Sequence, residues 1–127
     1  MLLARFGLAA GYLSDIVDRF GVWGRPGARG VTWGDFPHFV AWVEAWVPSA
    51  PMALVMSWIL TALEAALGLG LLIGVRTRTM AFGSGCLLLL LSIITIQLPG
   101  GPHALFAQGM LAAAGGSMLL ASIADND

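Results

Sequence analysis

The chain has 127 residues, of which 58% are hydrophobic and 10% are charged, whereas about a quarter of the residues of a soluble domain are charged. This length allows one domain, 1–127, and the composition indicates helices that pack against helices in a membrane. The net charge of −1 gives no reason to expect a nucleic-acid partner. The single cysteine, Cys86, excludes an intrachain disulfide and is interpreted as a small buried residue.

Residues 1–22 are predicted to form a first transmembrane helix, although charged residues interrupt it. An uncleaved helix is favoured over a signal peptide because the apolar stretch after Arg5 is brief. Asp15 precedes Arg19 by four residues, the order that favours a helical ion pair. Arg5 and Arg19 lie near the two ends of the helix, where we expect their charged groups to reach the membrane surface.

The segment after the first span contains four of the five tryptophans, and tryptophan is enriched where lipid headgroups meet water. With Asp35 as a candidate cap, residues 36–47 are predicted to form a short amphipathic helix in the membrane surface. The helix is interpreted as an anchor, with a lid over a ligand cavity as the alternative. Since exposed apolar patches often mark interfaces, the aromatic residues here are the candidate partner-binding surface: Trp23, Trp33, Phe36, Phe39, Trp42 and Trp46.

The second predicted span, 51–74, contains a carboxylate, Glu64, near its centre. A charge at the centre of a membrane helix costs roughly 2.5–3.5 kcal/mol, so Glu64 is expected to face other helices. It shares a helix face with Ser57 and Thr61, which predicts a buried polar network that holds the helices in register. A quinone pocket and proton or ion movement remain alternatives for the same candidate residues: Tyr12, Asp15, Arg19, Glu64 and Arg78.

Two more spans are predicted at 80–98 and 104–124, and neither contains a charged residue. Small residues such as Gly7, Gly11 and Gly109 are expected to let helices approach one another closely. The residues therefore predict an all-α fold: a four-helix transmembrane bundle with a short amphipathic interfacial helix between the first and second spans.

The two histidines, His38 and His103, lie outside the predicted spans, which argues against haem ligation. A metal site that combines them with Asp35 is less expected than two solvated histidines. No catalytic residue and no metal ligand is assigned, and quinone is the one cofactor left open.

In their order along the chain, these features resemble the DoxX-like family of small four-helix membrane proteins. The residues that match are Arg5 with Ala10-Gly11, Pro48 at the end of the aromatic segment, the stretch from Glu64 to Gly74, and Thr77-Arg78. The family often has a lysine shortly after its Ala-Gly, where this chain has Tyr12-Leu13-Ser14-Asp15. It also often ends in a Gly-rich basic segment, which Asp125-Asn126-Asp127 does not match. Both departures remove basic groups that could engage an anionic partner or a quinone.

The resemblance implies a multi-pass protein of the bacterial inner membrane with both termini in the cytoplasm, whereas the arginines alone leave its orientation close to a tie. The expected function is a non-catalytic auxiliary subunit that docks or scaffolds a membrane redox enzyme complex and has no redox cofactor of its own. The alternatives are a quinone-binding subunit of a thiosulfate:quinone-type oxidoreductase and a small oligomeric transporter. The expected partners are the lipid bilayer and other protein subunits, and a homo-oligomer is left open.

Overall fold

The computed structural model describes residues 2–97 and 102–124, with side chains described at 2–97 and 109–124. These residues form five helices and no strand, which confirms the predicted all-α class. In chain order the helices are α1 (Leu2–Arg19), α2 (Phe36–Glu44), α3 (Ala50–Ile73), α4 (Thr77–Gln97) and α5 (Pro102–Ile123).

Two of these helices, α3 and α4, are long and apolar enough to cross a membrane, with 24 and 21 residues. At 1.5 Å per residue they extend roughly 36 and 32 Å, against about 30 Å of hydrocarbon in a bilayer. By contrast, α1 carries four charged residues among its 18. In α5 the side chains are described from Gly109 to Ile123, an apolar stretch shorter than a membrane span. Two candidate spans are therefore established, and the four-span bundle stays a prediction.

Glycines in the left-handed conformation end α1 and α3. At the end of α1, Gly21 has φ of 82°, and the Val22 N–H donates to the Val17 carbonyl at 3.1 Å. At the end of α3, Gly74 has φ of 88°, and the Val75 N–H donates to the Gly70 carbonyl at 3.1 Å. This six-to-one bond across a left-handed glycine is a Schellman ending, so α1 ends at Arg19 and not at the predicted residue 22.

The surface helix α2 begins as predicted and ends earlier. Asp35 caps it by accepting the His38 backbone N–H at 2.8 Å, which confirms the predicted cap. After Glu44 the backbone hydrogen bonds change to the three-residue spacing of a 3₁₀-helix: the Trp46 N–H donates to the Val43 carbonyl at 3.1 Å. The helix therefore spans nine residues, not the predicted 36–47.

The described residues group into two compact units. The polar unit is Gly11–Ala66, and the terminal unit takes its described residues from Met1–Ala10 and Leu67–Asp127. The single domain expected over residues 1–127 stays a prediction.

In the terminal unit, α4 runs between two antiparallel neighbours, the end of α3 and α5. A Cβ on Gly70 of α3 would lie 3.0 Å from the Met80 sulfur, and Ser84 of α4 is 3.0 Å from the Ser117 hydroxyl of α5. Close approach at small residues is therefore found at Gly70. It is not found at Gly7, Gly11 or Gly109, where a Cβ would meet no atom within 4 Å; those predicted contacts are wrong for the described residues.

The polarity of α3 is the reverse of that in a soluble helix. Its polar residues Ser57, Thr61 and Glu64 are buried, with exposures of 0, 7 and 3%, while its large apolar side chains point outwards: Met52, Leu54, Val55, Trp58, Ile59, Leu63, Leu69, Leu72 and Ile73. The outward face of α4 is apolar as well and includes Cys86, which is exposed. The interpretation of Cys86 as buried is therefore wrong, because its position falls on the outer face of the helix.

Candidate functional site

The guanidinium group of Arg19 is the centre of a buried ion cluster in the polar unit. Its Nη2 atom donates to Asp15 Oδ2 at 2.7 Å and to Glu64 Oε2 at 2.7 Å. Its Nη1 atom donates to the Thr61 hydroxyl at 3.0 Å. The Arg19 side chain is 2% exposed, so the expectation that it reaches the membrane surface is wrong: two carboxylates within reach hold it inside.

The polar face of α3 continues the cluster along its own backbone. The Thr61 hydroxyl donates to the Ser57 carbonyl at 2.8 Å while it accepts from Arg19, and the Ser57 hydroxyl donates to the Ala53 carbonyl at 2.7 Å. Each hydroxyl thus bonds a carbonyl four residues earlier, as Ser and Thr do inside apolar helices. The predicted network of Asp15, Arg19 and Glu64 with this face is present.

The second carboxylate oxygen of Asp15 serves the loop that leads to α2. Asp15 Oδ1 accepts the indole N–H of Trp33 at 2.8 Å. Both oxygens of Asp15 are therefore bonded, one to Arg19 and one to Trp33. The ring of Phe39 covers the cluster, with the Arg19 guanidinium carbon 3.6 Å from its centroid, a cation–π distance.

Asp18 is a buried anchor for the loop before α2, a role not predicted from the sequence. It is buried, and its carboxylate accepts the backbone N–H groups of Thr32, Trp33 and Gly34 at 2.9, 3.1 and 3.3 Å. A carboxylate that satisfies three consecutive amides fixes the loop over the cluster. The signal in the sequence is weak, because Asp18 reads as one more charge near a helix end.

The aromatic segment is mostly interior, which corrects the predicted partner-binding surface. Trp33, Phe39 and Trp42 are buried, at 6, 1 and 7% exposure, because their rings pack on one another and Phe39 covers the Arg19 guanidinium. Phe36 and Trp46 are half-buried. Among the six predicted residues, Trp23 alone is well exposed, at 57%.

A second aromatic group lies at the surface of the polar unit. The rings of Phe20 and Phe36 stack with centroids 5.5 Å apart, and Phe36 lies 4.4 Å from Trp58. Phe20 and Trp58 are both about half exposed, at 51 and 52%. The polar unit also has a shallow polar groove of about 310 Å³, lined by Asp15, Asp18 and the exposed Trp23, among others.

The structure also describes the positions of Tyr12, Arg78 and His38. Tyr12 is buried on α1. Arg78 belongs to the terminal unit, where it is exposed and lines an apolar groove. The His38 ring bonds Asp35 at 2.6 Å on the surface of α2, and the side chain of His103 lies outside the described residues. Among the described residues, no group of three or more His, Cys, Asp or Glu side chains is arranged to hold a metal ion.

Both Nη atoms of Arg19 have hydrogen-bond partners within the polar unit. Oxygens of Asp15 on α1 and of Thr61 and Glu64 on α3 accept hydrogen bonds from Arg19, and the loop before α2 joins the cluster through the bond from Trp33 to Asp15. Such an arrangement fixes the relative position of helices within the polar unit, and it leaves the Arg19 Nε as the one nitrogen of that guanidinium without a partner.

Comparison with known proteins adds no relative. No protein-family model, no curated protein and no solved structure matches this chain.

Proposed function

We propose that this chain is an integral membrane protein that serves as a non-catalytic docking subunit of a membrane-associated protein complex. The observation that carries the proposal is the reversed polarity of α3, with Ser57, Thr61 and Glu64 inside and large apolar side chains outside. Water would penalise that outer face, whereas hydrocarbon accepts it. The redox character of the complex rests on the resemblance to DoxX-like proteins alone.

A structural role is favoured over quinone binding by the state of the polar groups. A quinone site needs donors that are free to bond the ring carbonyls, set in an apolar cleft. Here the Arg19 Nη atoms are already bonded to Asp15, Glu64 and Thr61, and the Phe39 ring covers the guanidinium. The cluster therefore acts as an internal brace.

The docking surface that we propose is smaller than the one expected from the sequence. It consists of Phe20, Val22 and Trp23, which are 51, 65 and 57% exposed and follow one another at the end of α1. The indole N–H of Trp23 is fixed by the Ser14 hydroxyl at 3.0 Å, so its ring is held outwards. Exposed aromatic anchors held in one conformation are typical of binding hot spots.

The arginines favour an orientation once their surroundings are known. Arg19 is buried in the ion cluster, so it is left out of the count of arginines that indicates the orientation in the membrane. Arg5 lies against the α3–α4 turn, because a Cβ on Gly74 would be 2.8 Å from its Nη1. Arg5, Arg76 and Arg78 are thus together at one end of the terminal unit. This concentration of arginine favours a cytoplasmic location for the α3–α4 turn.

The proposal is tested by gentle purification from native membranes after extraction at alkaline pH, which removes peripheral proteins. We expect the chain to stay in the membrane and to co-purify with a protein partner in fixed proportion. Trp23→Ala should abolish the association, whereas Arg25→Ala, a change in the same loop, should retain it. A chain released by alkaline extraction would contradict membrane insertion. Stoichiometric quinone that disappears in a folded Glu64→Gln variant would establish the quinone-binding alternative instead.

A further inference from the structure

The charges of the terminal unit are unbalanced. Three of the six arginines, Arg5, Arg76 and Arg78, belong to it, and its carboxylates in the sequence are Asp125 and Asp127, which lie outside the described residues. The described part of the unit therefore contains arginines and no carboxylate. In the polar unit, by contrast, Arg19 bonds two carboxylates.

The three arginines lie at the same end of the unit. The Arg5 guanidinium packs on Gly74 of the α3–α4 turn, Arg76 is within that turn with φ of 47°, and Arg78 is the second residue of α4. Free N–H groups at the beginning of a helix add positive potential. This end of the unit is thus suited to an anion.

An apolar groove begins at the same place. It has a volume of about 460 Å³ and runs between α4 and α5, with Arg78 and Thr79 at the first turn of α4, Phe82 one turn further, and Met118, Ala121 and Ser122 on α5. Beyond Arg78, the groove is lined by the aromatic ring of Phe82 on α4 and by the thioether of Met118 on α5. A ligand that fits both parts has an anionic head and an apolar tail.

We propose that this groove binds one anionic glycerophospholipid, with the phosphate at Arg78 and an acyl chain against Phe82 and Met118. Arginine suits this role because its planar guanidinium can bond two phosphate oxygens at once. The proposal rests on the membrane insertion proposed above, since only then does the groove face lipid. A phosphate bonded to Arg78 would make the site selective for the charge of the lipid headgroup and not only for an acyl chain.

The experiment is native mass spectrometry of the full chain in detergent with equal amounts of phosphatidylglycerol and phosphatidylcholine. We expect the wild type to retain phosphatidylglycerol in preference, and Arg78→Gln to reduce that preference about fivefold, the effect of one basic residue near an anionic lipid surface. Phe82→Ala should weaken binding of both lipids. Arg29→Gln removes the same charge from an exposed loop of the polar unit and should change nothing.

Several results would overturn the proposal: equal retention of the two lipids by the wild type, an unchanged preference in a folded Arg78→Gln variant, or equal losses for Arg78→Gln and Arg29→Gln. Displacement of the lipid by excess inorganic phosphate would show a site for phosphate alone. If Asp125→Asn with Asp127→Asn were needed before any preference appeared, the chain's own carboxylates would be the occupant. Alkaline extraction is scored separately, so an inserted chain without lipid preference contradicts this proposal and leaves the proposed function standing.

Discussion

The Nη2 atom of Arg19 lies 2.7 Å from a carboxylate oxygen of Glu64, 45 residues away in the sequence. The same nitrogen lies 2.7 Å from Asp15, so the two N–H bonds of one NH2 group make one hydrogen bond between helices and one within a helix. The side chains of Arg19 and Glu64 are 2 and 4% exposed. A mutation that removes one partner of such a pair leaves the other charge buried and out of reach of water. We therefore expect such mutations to lower the stability of the protein.

Glu64→Leu should destabilise the protein by about 3 kcal/mol, the low end of the range for breaking a buried ion pair, because Asp15 still bonds Arg19. Glu64→Gln keeps the shape of the side chain and one acceptor oxygen, so it should lower the free energy of unfolding by clearly less than Glu64→Leu does. The measurement is thermal unfolding in detergent. Glu44→Gln, an exposed position on α2, is the control and should not shift the midpoint. Equal stability of Glu64→Leu and the wild type would show that the pair does not stabilise the fold.

Asp18→Ala should release the loop before α2 without unfolding the chain. It removes the acceptor for three backbone N–H groups, those of Thr32, Trp33 and Gly34, and each unsatisfied buried donor costs roughly 1–3 kcal/mol. We expect faster trypsin cleavage after Arg29 and faster hydrogen exchange at these three amides. Asp35→Ala, which removes a carboxylate from the cap of α2 instead, should leave the Arg29 cleavage rate unchanged. Unaltered exchange in Asp18→Ala would contradict the anchoring role.

The sequence predicts the helices of this chain well and the site only in part. Long apolar runs fix α3 and α4, and the four-residue spacing of Asp15 and Arg19 predicts their ion pair, because both patterns are local. The partner of Glu64 is not local. The sequence predicts Tyr12 or Asp15 as its neighbour; Asp15 does lie near Glu64, but the hydrogen bond that Arg19 donates to Glu64 was not predicted. Phe39 covers the Arg19 guanidinium, and Trp33 and Trp42 pack on the Phe39 ring. The burial of Trp33 and Trp42 depends on this packing, which no periodicity in the sequence shows.

Two glycines of the loop should respond differently to alanine. Both have positive φ, 86° at Gly27 and 81° at Gly34, a conformation that costs a residue with a Cβ roughly 1–2 kcal/mol. A Cβ at Gly27 would meet no atom within 4 Å, whereas one at Gly34 would overlap the Pro26 backbone and lie 2.8 Å from the Arg25 carbonyl carbon. Gly34→Ala should therefore lower the free energy of unfolding by about 1–3 kcal/mol more than Gly27→Ala. Chemical denaturation of the two variants side by side measures this difference, and equal losses would rule out the close approach at Gly34.

Acid should weaken the start of α2. The hydrogen bond with the His38 ring, and after it the bond from the His38 backbone N–H, hold the pKa of Asp35 below its ordinary value of 3.8. A lowered carboxyl pKa means that the cap stabilises α2 fully above about pH 3.8 and that this contribution is lost as the pH falls through the lower folded-state value.

Hydrogen exchange of the His38 amide between about pH 6 and about pH 2 should thus show protection that disappears at the acid end. Asp35→Asn retains a capping oxygen that does not titrate, so it should remove this acid transition. The same acid transition in Asp35→Asn as in the wild type would show that another group is responsible.

The native thiol of Cys86 should report whether the outer face of α4 lies in lipid. Cys86 is exposed and lies nine residues after Thr77, the first residue of α4, so it is roughly 14 Å along a helix that is about as long as the hydrocarbon core is thick. Hydrocarbon excludes a charged reagent. We therefore expect no labelling by a charged maleimide in intact membranes and full labelling after unfolding in SDS.

Thr79→Cys in a Cys86→Ser background is the matched comparison, because Thr79 is exposed at the first turn of the same helix. This cysteine should react in membranes, since it lies near the headgroups and close to water. Rapid reaction of native Cys86 in intact vesicles, at the rate of Thr79→Cys, would mean that water reaches the middle of α4. An apolar helix face in contact with water would contradict membrane insertion, and the polarity of α3 would then need a covering protein in place of lipid.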